Sequence, residues 1–223
     1  MDVLLSFIAI VMLSPVLLII AVLVRVKLGN PVLFTQQRPG LNETIFTMYK
    51  FRTMTDEKDS KGELLPDSVR LTRFGKFLRS TSLDELPELI NILKGDMSVV
   101  GPRPQLVKDM VFFTEEEMKR QSVYPGLTGL AQICGRNNIS WEEKLKYDLK
   151  YIKNINFMED MRIIFRTVFK VASRDDIVTD GMETSEDYGD YLLRVGNIDS
   201  ATYRRGQKKA KELLGLNGEI YDE

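Results

Sequence analysis

The sequence predicts an α+β protein: an N-terminal membrane helix, then a small, mainly helical cytoplasmic domain carrying a short β-hairpin and an interfacial amphipathic helix. Three observations predict this. Residues 3–24 form an uncharged apolar run about as long as a bilayer-crossing helix requires. Residues 31–52 hold two stretches rich in branched and aromatic residues around the turn material "RPGLN". Most of the chain beyond residue 68 shows apolar stripes at three- and four-residue spacing. At 223 residues the chain holds one moderately large domain, or a small domain with appendages.

The membrane segment has no basic region ahead of it and no small-residue cleavage site after it, which argues against a removable signal peptide. Arg25 and Lys27 follow it directly and place the remainder on the cytoplasmic side. Ser14 and Pro15 stand at its middle, where proline removes a backbone donor. Two readings fit: a kinked spanning helix, or a helix–break–helix that enters and leaves by one face. Asp2 favours a shallow N-terminus, since a carboxylate crosses hydrocarbon poorly.

Residues 31–36 and 44–52 read as the two strands of a hairpin, and residues 55–67 as an exposed polar loop. Residues 69–79 place Leu71, Phe74, Phe77 and Leu78 on one helical stripe. Residues 105–121 and 140–154 read as helices, the second with a capping box of Ser140 and Glu143. Between them "YPGLTGLAQICGRNN" reads as loop. Residues 157–174 combine an apolar stripe (Met161, Ile164, Phe165, Val168, Phe169, Val171) with a row of Arg162, Arg166, Lys170 and Arg174. That pattern suits a helix in the membrane interface, or an ordinary surface helix packed on the core. Beyond Arg174 come an acidic stretch and a basic helical stretch, so the chain divides into 1–29, 30–174 and an appendage, 175–223, of unknown role.

Composition narrows the chemistry. A formal charge of −1 gives no global attraction to nucleic acid, so no nucleic-acid partner is expected. One cysteine, Cys134, excludes an internal disulfide and reads as a small buried hydrophobe. Without histidine there is no Ser-His triad and no usual general base. Catalysis must run on carboxylates, lysine, tyrosine or a hard metal ion.

The segment "RSTSLDELPELINILKGDMSVVGPRP", residues 79–104, carries the candidate site. Leu83, Leu86, Leu89, Ile90 and Leu93 form a helical stripe, and Asp84 and Glu85 fall at its start. With Ser82 as cap, Glu85 completes a capping box and both acids merely decorate a helix N-terminus. With Asp84 as cap, Pro87 falls where no amide is needed. Arg73, Arg79, Arg103 and Arg136 lie near turns or helix ends, and guanidinium groups recognise phosphate through paired hydrogen bonds. "VVGPRP" is a stiff turn in which Gly101 permits unusual backbone angles and Arg103 projects between prolines. Phosphoryl transfer needs charge neutralisation, an in-line nucleophile and usually Mg²⁺ held by one or two carboxylates, and an aspartate can itself be that nucleophile. No GxxxxGK[ST] loop and no GxGxxG motif occurs, so NTPase and dinucleotide readings lose their support. Asp148 falls on the apolar stripe of Trp141, Leu145, Leu149 and Ile152 and is expected to form a buried pair with an arginine.

"KFRTM" at residues 50–54, "LTRFGKFLRSTSLDELPELINILKGDMSVVGPRP" at 71–104 and "PGLTGLAQICGRN" at 125–137 closely resemble the bacterial sugar transferase family, the monotopic phosphoglycosyl transferases acting on polyprenyl phosphate. The resemblance covers roughly residues 2–174 and is to the small form. "LSP" at residues 13–15 resembles the family's re-entrant membrane helix and favours re-entry, with the break at Ser14 and Pro15. The resemblance implies transfer of a sugar 1-phosphate from a UDP-sugar to a polyprenyl phosphate such as undecaprenyl phosphate. UMP is released, and the product feeds bacterial surface glycan or glycoconjugate assembly.

It further implies Asp84 as the nucleophile of a covalent phosphosugar intermediate, with Glu85 as acid/base, both carboxylates organising Mg²⁺. Lys50, Arg52, Arg73, Arg79, Arg103 and Arg136 match family positions and are implied to bind the diphosphate or the lipid phosphate. The implied location is the bacterial inner membrane, catalytic domain on the cytoplasmic face against the lipid bilayer. The sugar, the glycan pathway and the oligomeric state, a homodimer included, stay open. Two other classes compete: a membrane-anchored nucleotide-sugar pyrophosphatase, and a non-enzymatic membrane scaffold.

Overall fold

The apolar run forms a single helix, α1 (Asp2–Lys27), in the computed structural model, which describes residues 2–135, 139–173 and 186–216. The expected helix–break–helix is replaced by one helical element running through Pro15. Proline cannot donate to the carbonyl four residues back, that of Val11. The Ser14 hydroxyl donates to that carbonyl instead, at 2.8 Å, so the defect is repaired within the same turn.

α1 packs along the rest of the molecule. The Ser98 hydroxyl donates to the Asp2 carboxylate at 2.6 Å. Ala9, Ile10 and Leu13 pack on the cluster of Phe46, Met48, Leu89, Ile92 and Met97. Ile20, Val24 and Leu28 are buried with Phe51 and Leu78. Leu4, Val11, Met12, Leu18 and Ile19 remain exposed.

β1 (Leu33–Pro39) and β2 (Ile45–Phe51) form the expected antiparallel hairpin, Leu33 opposite Phe51 and Pro39 opposite Ile45. Residues 55–66 are irregular and largely exposed, also as expected. The helix expected from residue 69 starts later. A single turn, α2 (Asp67–Arg70), precedes α3 (Arg73–Ser80), because Leu71 bridges to Met54 and the Thr72 hydroxyl caps α3 by accepting from the Gly75 amide at 3.1 Å.

Neither capping scheme expected around the acids forms. Ser82 is left-handed (φ 53°) and makes no side-chain cap bond, Leu83–Glu85 is a 3₁₀ turn, and α4 (Glu88–Lys94) begins after Pro87, which takes the N-cap place. Proline there removes an amide that no helical bond needs. Asp84 and Glu85 therefore sit on a turn ahead of the helix.

The glycine-rich 124–138 segment is not all loop. β3 (Ser98–Val100) pairs in parallel with β4 (Gly126–Thr128). Gly101 serves a close approach rather than an unusual backbone angle: a Cβ on it would lie 2.4 Å from the Tyr124 carbonyl oxygen, and one on Gly126 would lie 2.1 Å from the Gly101 nitrogen. The single helix expected over residues 105–121 is α5 (Val107–Met110), α6 (Glu115–Met118) and a 3₁₀ turn (Lys119–Ser122). Thr114 and Glu117 form a capping box that restarts the helix.

α7 (Leu130–Cys134) follows β4, and Cys134 is exposed, not buried. α8 (Trp141–Lys153) has its predicted Ser140–Glu143 capping box. α9 (Phe157–Ser173) docks through the buried Ile163 and a 2.6 Å hydroxyl contact between Thr167 and Thr128, leaving Phe157, Met158, Phe165, Val168 and Phe169 exposed. α10 (Tyr188–Arg194) and α11 (Ser200–Leu213) close one core cluster, in which Tyr188, Leu192 and Ala210 join Val107, Met110 and Trp141.

Candidate active site

The site forms where the hairpin meets the turn before α4. Asn91 fixes that junction: its side-chain amide donates to the Thr47 carbonyl (2.7 Å) and the Asp96 carboxylate (3.1 Å), and its oxygen accepts from the Tyr49 amide (3.1 Å). This fully satisfied buried side chain holds α4 across β2. Lys50, next along β2, then reaches two acids, Glu85 at 2.9 Å and Glu88 at 3.2 Å.

Glu85 is the hub. Its Oε1 accepts from both Lys50 and the Arg103 guanidinium, while Oε2 carries no bond among the described residues. Burial alone would raise the Glu85 carboxyl, but Arg103 and Lys50 more than reverse this and hold it well below the usual carboxylate range. The same pair raises Arg103 above its ordinary value. Glu85 is thus a fixed anion and a poor proton donor at neutral pH.

Asp84 is different. It is buried, yet its carboxylate makes no hydrogen bond or ion pair with any described residue. Burial, then the charge of Glu85, pushes its carboxyl up to about 6 against the pull of Lys50, Arg79 and Arg103. At neutral pH it is ionised but poorly solvated, the condition that makes a carboxylate reactive.

Arg79 reaches the site from the end of α3 and donates to the Thr53 hydroxyl at 3.0 Å. The close fit of α3 on Thr53 requires Gly75, where a Cβ would meet the Thr53 carbonyl oxygen at 1.8 Å. Arg103 is held from behind by Arg120, whose guanidinium donates to the Arg103 carbonyl (2.6 Å) and to Asp148 (2.8 and 3.0 Å). The expected buried pairing of Asp148 with an arginine is therefore present.

The structure brings together Asp84, Glu85, Lys50, Arg79 and Arg103. It does not bring Arg52 or Arg73 to them. Arg52 pairs with Asp56 and donates to the Asn30 carbonyl just beyond α1, and Arg73 is exposed at the start of α3. Arg136 lies outside the described residues.

Sequence reasoning missed Glu88, Arg38, Arg120 and Lys144. Glu88 stands four residues after Asp84 and is driven by burial up to about 7, Glu85 adding and Lys50 opposing. Arg38 shares a strand face with Gln36, a period-two placement legible in the sequence.

Among the described residues no three acidic or cysteine side chains converge as a metal cage. The donor set does fit the Mg²⁺ pattern of one or two carboxylates completed by substrate phosphate oxygens, since Asp84 and Glu85 Oε2 offer free hard-oxygen donors.

A buried carboxylate acted on by two arginines and a lysine is suited to phosphate esters, and it belongs to a chain whose N-terminal helix is long and apolar enough to cross a membrane. The chain belongs to the bacterial sugar transferase family, whose model matches residues 1–174. It is 51% identical over 173 residues to a protein of Bacillus subtilis (strain 168) named uncharacterized sugar transferase EpsL, covering 78% of this chain and 86% of that one. It is 41% identical over 179 residues to the UDP-glucose:undecaprenyl-phosphate glucose-1-phosphate transferase of Klebsiella pneumoniae, covering 76% of this chain but 38% of that longer protein. It is 35% identical over 184 residues to the exopolysaccharide production protein ExoY of Sinorhizobium fredii (strain NBRC 101917 / NGR234), covering 75% of this chain and 81% of that one.

Proposed function

We propose that the protein transfers a sugar 1-phosphate from a UDP-sugar to a polyprenyl phosphate such as undecaprenyl phosphate through a covalent intermediate on Asp84, an early step of surface glycan assembly. The observation that carries this reading is the unpaired, buried Asp84 carboxylate set against the clamped Glu85. An Asp84 oxygen attacks the sugar-bearing phosphorus, the bond to the bridging oxygen breaks, and UMP departs with the electron pair. An oxygen of the polyprenyl phosphate then attacks the same phosphorus and releases Asp84.

The leaving group departs as an anion, so Lys50, Arg79 and Arg103 do the work a proton donor does elsewhere. Mg²⁺ held by Asp84 and Glu85 would neutralise phosphate charge.

Membrane placement supports the same reading. A helix of 26 residues is about 39 Å long, and a spanning orientation would carry Asp2 to the far side of the bilayer. Its bond to Ser98 instead supports a helix with both ends on the domain's side. The exposed apolar residues of α1 and α9 would face lipid, and the positive-inside bias of Arg25 and Lys27 supports a domain on the cytoplasmic face.

The test is intact mass of the detergent-solubilised protein after incubation with Mg²⁺ and a panel of UDP-sugars. The expected result is a gain of one phosphosugar, absent in Asp84→Asn, with one equivalent of UMP without acceptor and continuous release with it. Continuous UMP release without acceptor would mean a pyrophosphatase. Sustained lipid-dependent turnover by Asp84→Asn would overturn the nucleophile assignment, and a wild type that forms no adduct and releases no UMP with acceptor would mean a scaffold.

A further inference from the structure

A cavity of about 180 Å³ adjoins the site, with Glu88 and Arg103 in its wall together with Arg38, Lys144, Trp141 and Asp187. Arg103 belongs to both places, since it bonds Glu85 and its charge acts on Asp84. The cavity wall includes residues 186–187, beyond the stretch that matches the family.

The charges in the wall are unevenly satisfied. Each acid has a partner that is not one of the cavity's free cations. Asp109 accepts from the Leu106 and Tyr188 amides (3.2 and 2.8 Å), Asp187 pairs with Lys108, Glu186 with Arg194 (2.8 Å), and Glu88 with Lys50 (3.2 Å). The cations do not match this. Arg38 donates to the neutral Gln36 side chain at 2.6 Å, and its Nε is buried with no partner. Lys144 lies over the Trp141 ring at 4.8 Å, and among the described residues no carboxylate comes within ion-pair distance of it or of Arg38. Burial, reinforced by the like charge of Arg103, brings the Arg38 guanidinium down to about 10 against the weaker opposing pull of Asp109, Glu88 and Asp187. A half-buried guanidinium whose Nε has no partner, with no carboxylate at bonding distance, would gain from an incoming anion.

We propose that this cavity receives the phosphate of the departing nucleotide, with Arg38 and Lys144 as its binding residues and Arg103 shared with the phosphorus under attack. The proposal rests on the transferase reading. No residue of α1 or α9, the elements with exposed apolar faces, lines the cavity. It therefore suits the water-soluble donor rather than the phosphate of a lipid.

The test measures UMP and uridine affinity by calorimetric titration of the full chain in detergent, for the wild type, Arg38→Gln and Lys144→Gln. It is paired with single-turnover transfer from the preformed adduct to polyprenyl phosphate. Each substitution is expected to weaken UMP binding about tenfold or more, the value of a charge-assisted phosphate contact. Uridine affinity and the transfer rate from the adduct should hold. Arg38 and Lys144 are both half-buried and stand on different elements, β1 and α8, so the Lys144 variant tests the site independently of any folding effect at Arg38. Unaltered UMP affinity in both variants overturns the proposal. So does slowed transfer to lipid with unaltered UMP affinity, which would assign the cavity to the acceptor phosphate. Wild-type protein that forms no adduct and binds no UMP would instead overturn the transferase reading beneath it.

Discussion

Asp84→Asn should remove catalysis and at the same time stabilise the protein. In the folded chain the Asp84 carboxyl is raised from 3.8 to about 6, mainly by burial. Folding therefore pays for an ionised carboxylate at neutral pH. About two units at about 1.4 kcal/mol each amount to roughly 3 kcal/mol, present once the pH is well above 6. For a chain of this size that corresponds to a rise in Tm of about 6–12 °C for the asparagine variant at pH 7.5.

The sign is set by the protons bound. Between pH 4 and 6 the folded state holds a proton that the unfolded state has lost, so wild-type stability falls as pH rises and levels off above 6. Below pH 4 the carboxyl is neutral in both states and the difference vanishes. Thermal melts of the two proteins in one detergent from pH 4 to 8 give this difference curve directly. A variant less stable at pH 7.5, or a gap independent of pH, would refute the assignment of a desolvated carboxylate whose cost the neighbouring cations leave uncovered.

Adduct formation should fall about tenfold per pH unit below 6, since only the ionised Asp84 attacks; a rate flat down to pH 5 would contradict this. Arg79→Gln should suppress adduct yield strongly, whereas Arg73→Gln, at an exposed position, should leave it within about twofold, and intact mass separates them. Arg120→Ala leaves Asp148 charged and buried alone, so it should cost about 3–5 kcal/mol and appear as a large fall in Tm. Gly126→Ala drives a Cβ toward the Gly101 nitrogen and should cost about 1–3 kcal/mol, read as a lower Tm, with weaker adduct formation because Arg103 lies two residues beyond Gly101.

Legibility followed the range of the interactions. The hairpin, α8 and α9 were readable because each declares itself within one turn or one alternating run, as Ser140 and Glu143 do. The acids and the cations Lys50, Arg79 and Arg103 were readable from motif and residue type. The strand pair β3–β4 was not, since three residues show no alternation and the pairing is between distant segments. Leucine spacing runs through the turn holding Asp84 and so draws the helix start back to the acids, whereas Pro87 marks where the helix begins. Arg52 and Arg73 looked equivalent to Arg79, because sequence proximity does not reveal which side of a strand or helix faces a neighbour. Arg38 and Lys144 went unnoticed because the cavity they share is assembled from the hairpin, α8 and residues 186–187.

The packing of α1 has a practical consequence for anyone handling this protein. Ile20, Val24 and Leu28 are interior residues of the catalytic unit, and Asp2 is fastened to Ser98 at the other end. Cutting the chain near residue 29 would strip one wall from two core clusters and leave Leu89, Ile92 and Leu78 facing water. A water-soluble fragment made by deleting the apolar helix should therefore aggregate rather than work. Purification has to keep the exposed apolar helix and supply an amphiphile to cover it, because in this molecule that helix and the hydrophobic core are one piece.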